Sequence, residues 1–105
     1  MEIGTASVAT ALAALGHEKR LAIYRLLVKA GADGLSVGEI GAHLGTPPST
    51  LAHHLRSIVD AGLVVQERRG RQVVNRVDYD IMRRTIDFLT AECCVGVRLS
   101  EETMP

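Results

Sequence analysis

The run from Ser36 to Val77 limits this chain more than any other feature: a short helix, a turn, a longer helix and a basic β-hairpin follow one another there without a break. Ser36-Val37-Gly38-Glu39 fits a capping box, in which Ser36 and Glu39 satisfy each other's backbone amides at a helix start. The helix it opens runs through Leu44, turns Ile40 and Leu44 inward and ends at Gly45. Thr46 is placed to cap the next helix, and Pro47 suits its first position, where no amide hydrogen is needed. That helix is predicted to reach Ala61, with Gly62 as its stop. Leu63–Arg68 and Gln72–Val77 are rich in β-formers. Arg69-Gly70-Arg71 between them, a three-residue connection with a central glycine, predicts a hairpin.

The flanks read as helices. Thr5–Leu15 is alanine-rich, with Val8, Leu12 and Leu15 at helical spacing and Gly16 at its end. Its small residues Ala6, Ala9 and Ala13 would let another helix approach closely. His17–Ala30 predicts a second helix whose apolar positions Leu21, Ile23, Tyr24, Leu27 and Val28 suit a central core element, broken by Gly31-Ala32-Asp33-Gly34. From Asp78 the chain turns helical again, with Met82, Ile86, Leu89 and Cys93 on one stripe and Gly96 marking the end. The expected fold is mainly α with a small β-hairpin: one domain over residues 1–97 and a loose polar tail over residues 98–105.

A length of 105 residues suits a single domain. Hydrophobic and charged fractions of 47% and 23% belong to a globular chain rather than a disordered one. No apolar run approaches the ~18 residues of a membrane span, and Met1-Glu2-Ile3 lacks the basic start of a signal peptide. A cytoplasmic location without membrane contact is therefore expected, where thiols stay reduced and two cysteines are not a disulfide framework. Net charge is zero, yet it is unevenly spread. Between Pro47 and Arg76, Arg56, Arg68, Arg69, Arg71 and Arg76 outnumber Asp60 and Glu67, so this segment is positive and the remainder negative. A local DNA-facing surface produces such a split, as does a merely solvated basic face.

On a helical wheel at about 100° per residue, Leu51, Leu55, Ile58 and Val59 form the buried face of the 47–61 helix. Ser49, His53, Arg56, Ser57 and Asp60 take the opposite side, with Thr50 at its margin. Small hydroxyls near a helix start, followed by His and Arg, suit contacts with base edges and phosphates. Thr46 and Pro48 bring the helix N-terminus, with its free amides, toward a phosphate. Arg69 and Arg71 flank Gly70 at the hairpin tip, within reach of a minor groove or of phosphates. The candidate DNA contacts are thus Thr46, Pro48, Ser49, Thr50, His53, His54, Arg56, Arg69 and Arg71. The alternative for the helix alone is a solvated face of a core element.

The runs Leu51-Ala52-His53-His54-Leu55-Arg56, Ala61-Gly62-Leu63-Val64 and Arg69-Gly70-Arg71 resemble the ArsR/SmtB family of winged-helix repressors, as does His17-Glu18-Lys19-Arg20-Leu21-Ala22-Ile23-Tyr24-Arg25-Leu26-Leu27. The resemblance covers about residues 10 to 90. It implies a winged helix-turn-helix and a homodimeric repressor that leaves a palindromic DNA operator when an inducer binds, usually a metal or metalloid ion. It further implies that the helices at the two ends, Thr5–Leu15 and Tyr79–Cys94, form the dimer interface.

Sensing sites differ within that family. One arsenic site places cysteines at the start of the helix before the recognition helix, but Leu35-Ser36-Val37-Gly38-Glu39 has none. A zinc-type site needs Asp and His on one helix and His and Glu on its dimer partner, and the last helix here has Asp80, Asp87 and Glu92 but no histidine. His17 and His43 stand apart and suit packing or surface roles. That leaves Cys93 and Cys94, whose thiolates favour a soft ion. Phe88-Leu89-Thr90-Ala91-Glu92-Cys93-Cys94 resembles members that sense trivalent arsenic through a cysteine pair ending the last helix. Adjacent helical residues project about 100° apart, so the helix end must relax for both sulfurs to meet one centre.

Some of those members add a third cysteine. None follows here: Val95-Gly96-Val97-Arg98-Leu99 comes next. Arsenite, As(III), prefers three sulfurs, whereas a methyl- or phenylarsenite keeps one carbon bond and needs two. The expected inducer is therefore a trivalent organoarsenical at least as much as arsenite, with antimonite, Sb(III), also open. The alternatives are Cys93 as a core residue beside an idle Cys94, a redox or persulfide switch on the same thiols, or a DNA-binding regulator with no inducer. An enzyme is not expected. Cys-x-x-Cys beside a strand–helix start, a Ser/His/Asp grouping and a Gly-rich phosphate loop are all missing, and no catalytic cofactor is implied.

Overall fold

The computed structural model describes residues 3–99. Five helices and a three-stranded antiparallel sheet follow in the order α1 (Thr5–Leu15), α2 (Glu18–Ala30), a 3-10 turn (Gly31–Asp33), β1 (Leu35–Ser36), α3 (Val37–Leu44), α4 (Pro48–Asp60), β2 (Val64–Arg69), β3 (Gln72–Val77) and α5 (Tyr79–Thr90). The expected helices and hairpin form, and the fold is a winged helix-turn-helix. None of the described helices is long and apolar enough to cross a membrane.

Each boundary has a local cause. The capping box forms as expected: the Glu39 amide donates to Ser36 Oγ at 3.1 Å and the Ser36 amide donates to Glu39 Oε1 at 2.8 Å. These bonds hold the Glu39 carboxyl below its ordinary value. Gly45 closes α3 in the left-handed region at φ 63°, and the Thr46 amide donates to the Gly41 carbonyl at 3.2 Å. Thr46 therefore finishes α3 rather than capping α4. Pro47 is the N-cap of α4 and Pro48 its first residue, so the helix begins one position later than expected.

The hairpin also tightens. Arg69 pairs with Gln72, which leaves a two-residue turn, Gly70-Arg71, instead of three. Gly70 at φ 62° supplies the left-handed first position such a turn needs. The strand β1 is an addition to the expected elements; its Leu35 and Ser36 pair with Asn75 and Val74 to make the sheet order β1-β3-β2. Asn75, fully buried, accepts from Gln66 Nε2 at 2.8 Å and donates to the Leu35 carbonyl at 3.2 Å, bolting all three strands together. Gly34 lies so close to the Asn75 carbonyl that a Cβ there would collide with backbone.

Ile23, Tyr24 and Leu27 of α2 meet Ile40, Leu51, Leu55, Ile58, Leu63, Val64 and Val77 in one core. From α1 the small residues that pack inward are Ala11 and Ala14; Ala6, Ala9 and Ala13 are exposed. Leu21 and Val28, expected in the core, lie at the surface. With Leu12, 42% exposed, Ile86, 48%, and Leu89, 56%, they leave an apolar face across α1, α2 and α5. A cleft of about 580 Å³ lies along it. Tyr24 lines this cleft; its hydroxyl is buried without a partner among the described residues, and burial, Tyr79 and Asp78 push its pKa up to about 12.

Candidate nucleic-acid interface and thiol pair

The α3–turn–α4 unit holds a reading surface by burying one side of α4. Leu51, His54, Leu55 and Ile58 are buried, while Pro48, Ser49, His53 and Arg56 are exposed, with Thr46 and Thr50 half-buried at the helix start. His54 thus leaves the exposed set. It is 7% exposed, and its Nδ1 accepts from Arg20 Nε at 3.3 Å. At about 100° per residue, residue 54 falls about 60° from Leu51, inside the buried arc, whereas residue 53 falls about 160° away. Burial first, and then His17, Arg20, His53 and Lys19, hold the His54 imidazole below its ordinary value. Its ring lies 4.7 Å from that of His17 and 5.6 Å from that of His53. His17 is no bystander: it caps α2 by accepting from the Lys19 amide at 3.1 Å.

The wing carries its arginines unequally. Arg69 and Arg76 both reach Glu67, at 3.4 and 3.6 Å. Arg68 and Arg71 are exposed and have no ion pair among the described residues. Arg71 lies in the turn itself, whereas Arg69 is drawn back toward Glu67. A cleft lined by Ala52, Arg56, Val59 and Gln66 separates α4 from the wing.

The cysteine pair lies elsewhere than expected. α5 stops at Thr90, and residues 91–95 continue as tight turns through bonds from the Cys93 amide to the Thr90 carbonyl and from the Val95 amide to the Glu92 carbonyl. Cys93 is therefore not on the α5 stripe, and both thiols are exposed. Glu92 at φ 60° and Cys94 at φ 65° occupy the left-handed region that side chains seldom adopt. That backbone twist brings the two sulfurs to 3.2 Å. Cys93 and Cys94 meet; the DNA-facing candidates gather separately on α4 and the wing. No group of three or more His, Cys, Asp or Glu side chains converges as a metal site among the described residues.

The fold is shared with known proteins. Residues 15–67 match the family described as a helix-turn-helix domain. The biofilm growth-associated repressor of Agrobacterium fabrum is 33% identical over 94 residues, covering 90% of this chain and 78% of the relative. An ArsR-like transcriptional regulator from Rhodococcus superposes with a TM-score of 0.71 at 27% identity, covering 80% of this chain and 76% of that one. HlyU from Vibrio cholerae superposes at 0.70 with 29% identity, covering 90% and 99%. The chain belongs to this helix-turn-helix family and is a DNA-binding transcriptional regulator of the ArsR type.

Proposed function

We propose that this regulator is a homodimeric repressor whose hold on a palindromic operator is released when a trivalent arsenical bridges Cys93 and Cys94. The observation that carries the inducer is the 3.2 Å separation of two exposed sulfurs. With sulfur bonds of about 2.3 Å, the length of a zinc–thiolate bond, that separation subtends roughly 90°. A tetrahedral ion would hold its sulfurs about 3.8 Å apart, so the pair suits a pyramidal centre with a lone pair better than zinc. The sequence holds only two cysteines. One protomer therefore offers two sulfurs, which satisfies methylarsenite or phenylarsenite; arsenite or antimonite would need a third ligand.

DNA contact is assigned to Pro48, Ser49, Thr50, His53 and Arg56 at the major groove and to Arg71, with Arg69, along phosphates or the minor groove. Thr46 lies in the turn that aims the helix. The exposed apolar face of α1, α2 and α5 supports dimerisation, since so much uncovered Leu and Ile is costly for a lone protomer. Twin α4 helices would then sit about one DNA turn, ~34 Å, apart. Ligation at residues 93 and 94 would reorder the turns that leave α5 and re-pack that interface, spoiling the spacing. A coupling of roughly 1–3 kcal/mol suffices for a useful switch.

A redox or persulfide reading of the same thiols is favoured by their exposure. A direct disulfide is disfavoured, because neighbouring Cα atoms sit about 3.8 Å apart whereas a disulfide wants about 4.4–6.8 Å.

The test is duplex binding by fluorescence anisotropy, using DNA from the regulator's own promoter region, with methylarsenite, arsenite, antimonite, zinc or peroxide. Release by methylarsenite in wild type but not in Cys93→Ser/Cys94→Ser is expected. Binding indifferent to every arsenical, or release in the double variant, overturns the inducer assignment. Release by peroxide alone moves the assignment to oxidation.

A further inference from the structure

The structure assigns a second phosphate-contacting rim to Lys19 and Arg20 on the first turn of α2, set opposite the wing across the recognition helix. This deepens the DNA-binding reading and rests on it.

The placement comes from the two flanks of α4. Taking Leu51 as the centre of the buried face, at about 100° per residue, Ala52, Arg56 and Val59 fall on one flank, and these residues line the cleft toward the wing. His53, Ser57 and His54 fall on the other flank. There the His54 ring lies tilted against that of His17, with centroids 4.7 Å apart, and accepts from Arg20, so the first turn of α2 borders this side. A major groove about 12 Å wide is walled by phosphates on both rims. A helix seated in it with a basic wing on one side meets the second phosphate wall on the other.

The charge on that side matches. Lys19 is exposed and Arg20 half-buried, and neither pairs with a carboxylate among the described residues. Contrast Arg69 and Arg76, which both share Glu67. Glu18, exposed on the same turn, is the one carboxylate beside them in sequence and makes no ion pair among the described residues. Nδ1 of His54 accepts from Arg20 Nε, and the two terminal nitrogens of Arg20, which have no partner among the described residues, are left for a phosphate. His54 is thus a positioning residue: absent from the reading face, it aims Arg20 at the backbone.

Anisotropy with a mixed-sequence 30-base-pair duplex tests this, because phosphate contacts carry no sequence information. The slope of log affinity against log salt is measured for wild type, Lys19→Gln, Arg20→Gln and the wing variant Arg71→Ala. Removing one phosphate-neutralising side chain should reduce the slope by about 0.9, so all three variants are expected to fall by that amount. The Lys19 side chain has no hydrogen bond or ion pair among the described residues, and thermal melts of each variant report any fold defect. His54→Asn, which keeps an acceptor, should hold the wild-type slope, while His54→Leu should forfeit the Arg20 share. Slopes for Lys19→Gln and Arg20→Gln that match wild type while Arg71→Ala falls would overturn the rim and leave the wing standing. A wild-type protein that fails to bind the duplex at any salt would overturn the rim and the DNA-binding assignment together.

Discussion

The DNA-facing half and the cysteine segment are built on opposite principles. Between Leu35 and Val77 nearly every turn is fastened: a reciprocal cap at Ser36 and Glu39, a left-handed glycine at 45, and Asn75 joining three strands. After Thr90 nothing described is buried, and the chain is held by short backbone turns. A reading surface must be rigid to hold its register, whereas a trigger must be cheap to deform. The two halves are joined by α5, whose start is pinned firmly. Asp78 accepts from the amides of Asp80 and Ile81, and Tyr79 Oη donates to the Val28 carbonyl at 3.0 Å. In the proposed switch, a change at the far end of α5 meets this fixed near end, and the apolar face between them would absorb it.

The contrast breaks most visibly at Gly34. Gly34→Ala puts a methyl against the Asn75 carbonyl at φ 62°, and should cost about 1–3 kcal/mol or more, read as a lowered urea midpoint. The cysteine half should show the reverse. Cys93→Ser/Cys94→Ser should leave the urea midpoint within about 0.5 kcal/mol yet abolish an arsenical response of about 5- to 150-fold in DNA affinity. A large drop in stability in that double variant would mean that the segment is structural after all.

Smaller effects sharpen the picture within the DNA-facing half. Arg71→Ala should weaken duplex binding more than Arg69→Ala, because Arg69 is already engaged by Glu67; equal weakening would show that the ion pair yields to DNA. His53→Ala should change the ranking among duplex sequences rather than the salt dependence. The smallest effect is a pH dependence. The fold disfavours charged His54. Its contribution is therefore full above the unfolded imidazole pKa of about 6.5 and fades as pH falls below that value. Thermal melts between pH 7 and pH 5 should drop less for His54→Asn than for wild type.

Much of the rigid half was legible because its signals are local. Ser36-x-x-Glu39, Gly45, the double proline and Arg-Gly-Arg each dictate a cap or a turn from adjacent residues. The errors there were shifts of one position: Thr46 finishes α3 instead of starting α4, and the hairpin turn is shorter by one residue. β1 was hidden because two residues carry no periodicity and gain their strand only from distant Asn75 and Val74. His54 was misplaced because its neighbour His53 does face outward, and a motif match does not distinguish them as the wheel does. Cys93 continues the 82-86-89 spacing, which predicts helix there, yet no described residue after Thr90 is buried and α5 stops at that residue. Leu21 and Val28 have helical apolar spacing like the core positions Ile23, Tyr24 and Leu27, and spacing alone does not separate the buried face of α2 from its exposed apolar one.

Arsenical ligation and DNA binding are held to oppose each other through one dimer, and a paired titration tests that directly. Methylarsenite is titrated into the protein, free and saturated with its promoter duplex, and binding is followed by thiolate-to-arsenic absorbance. Reciprocity requires the DNA-bound form to bind the arsenical more weakly, by the same factor with which the arsenical weakens DNA binding. Equal affinity in the two forms, with the duplex still bound at saturation, would contradict it.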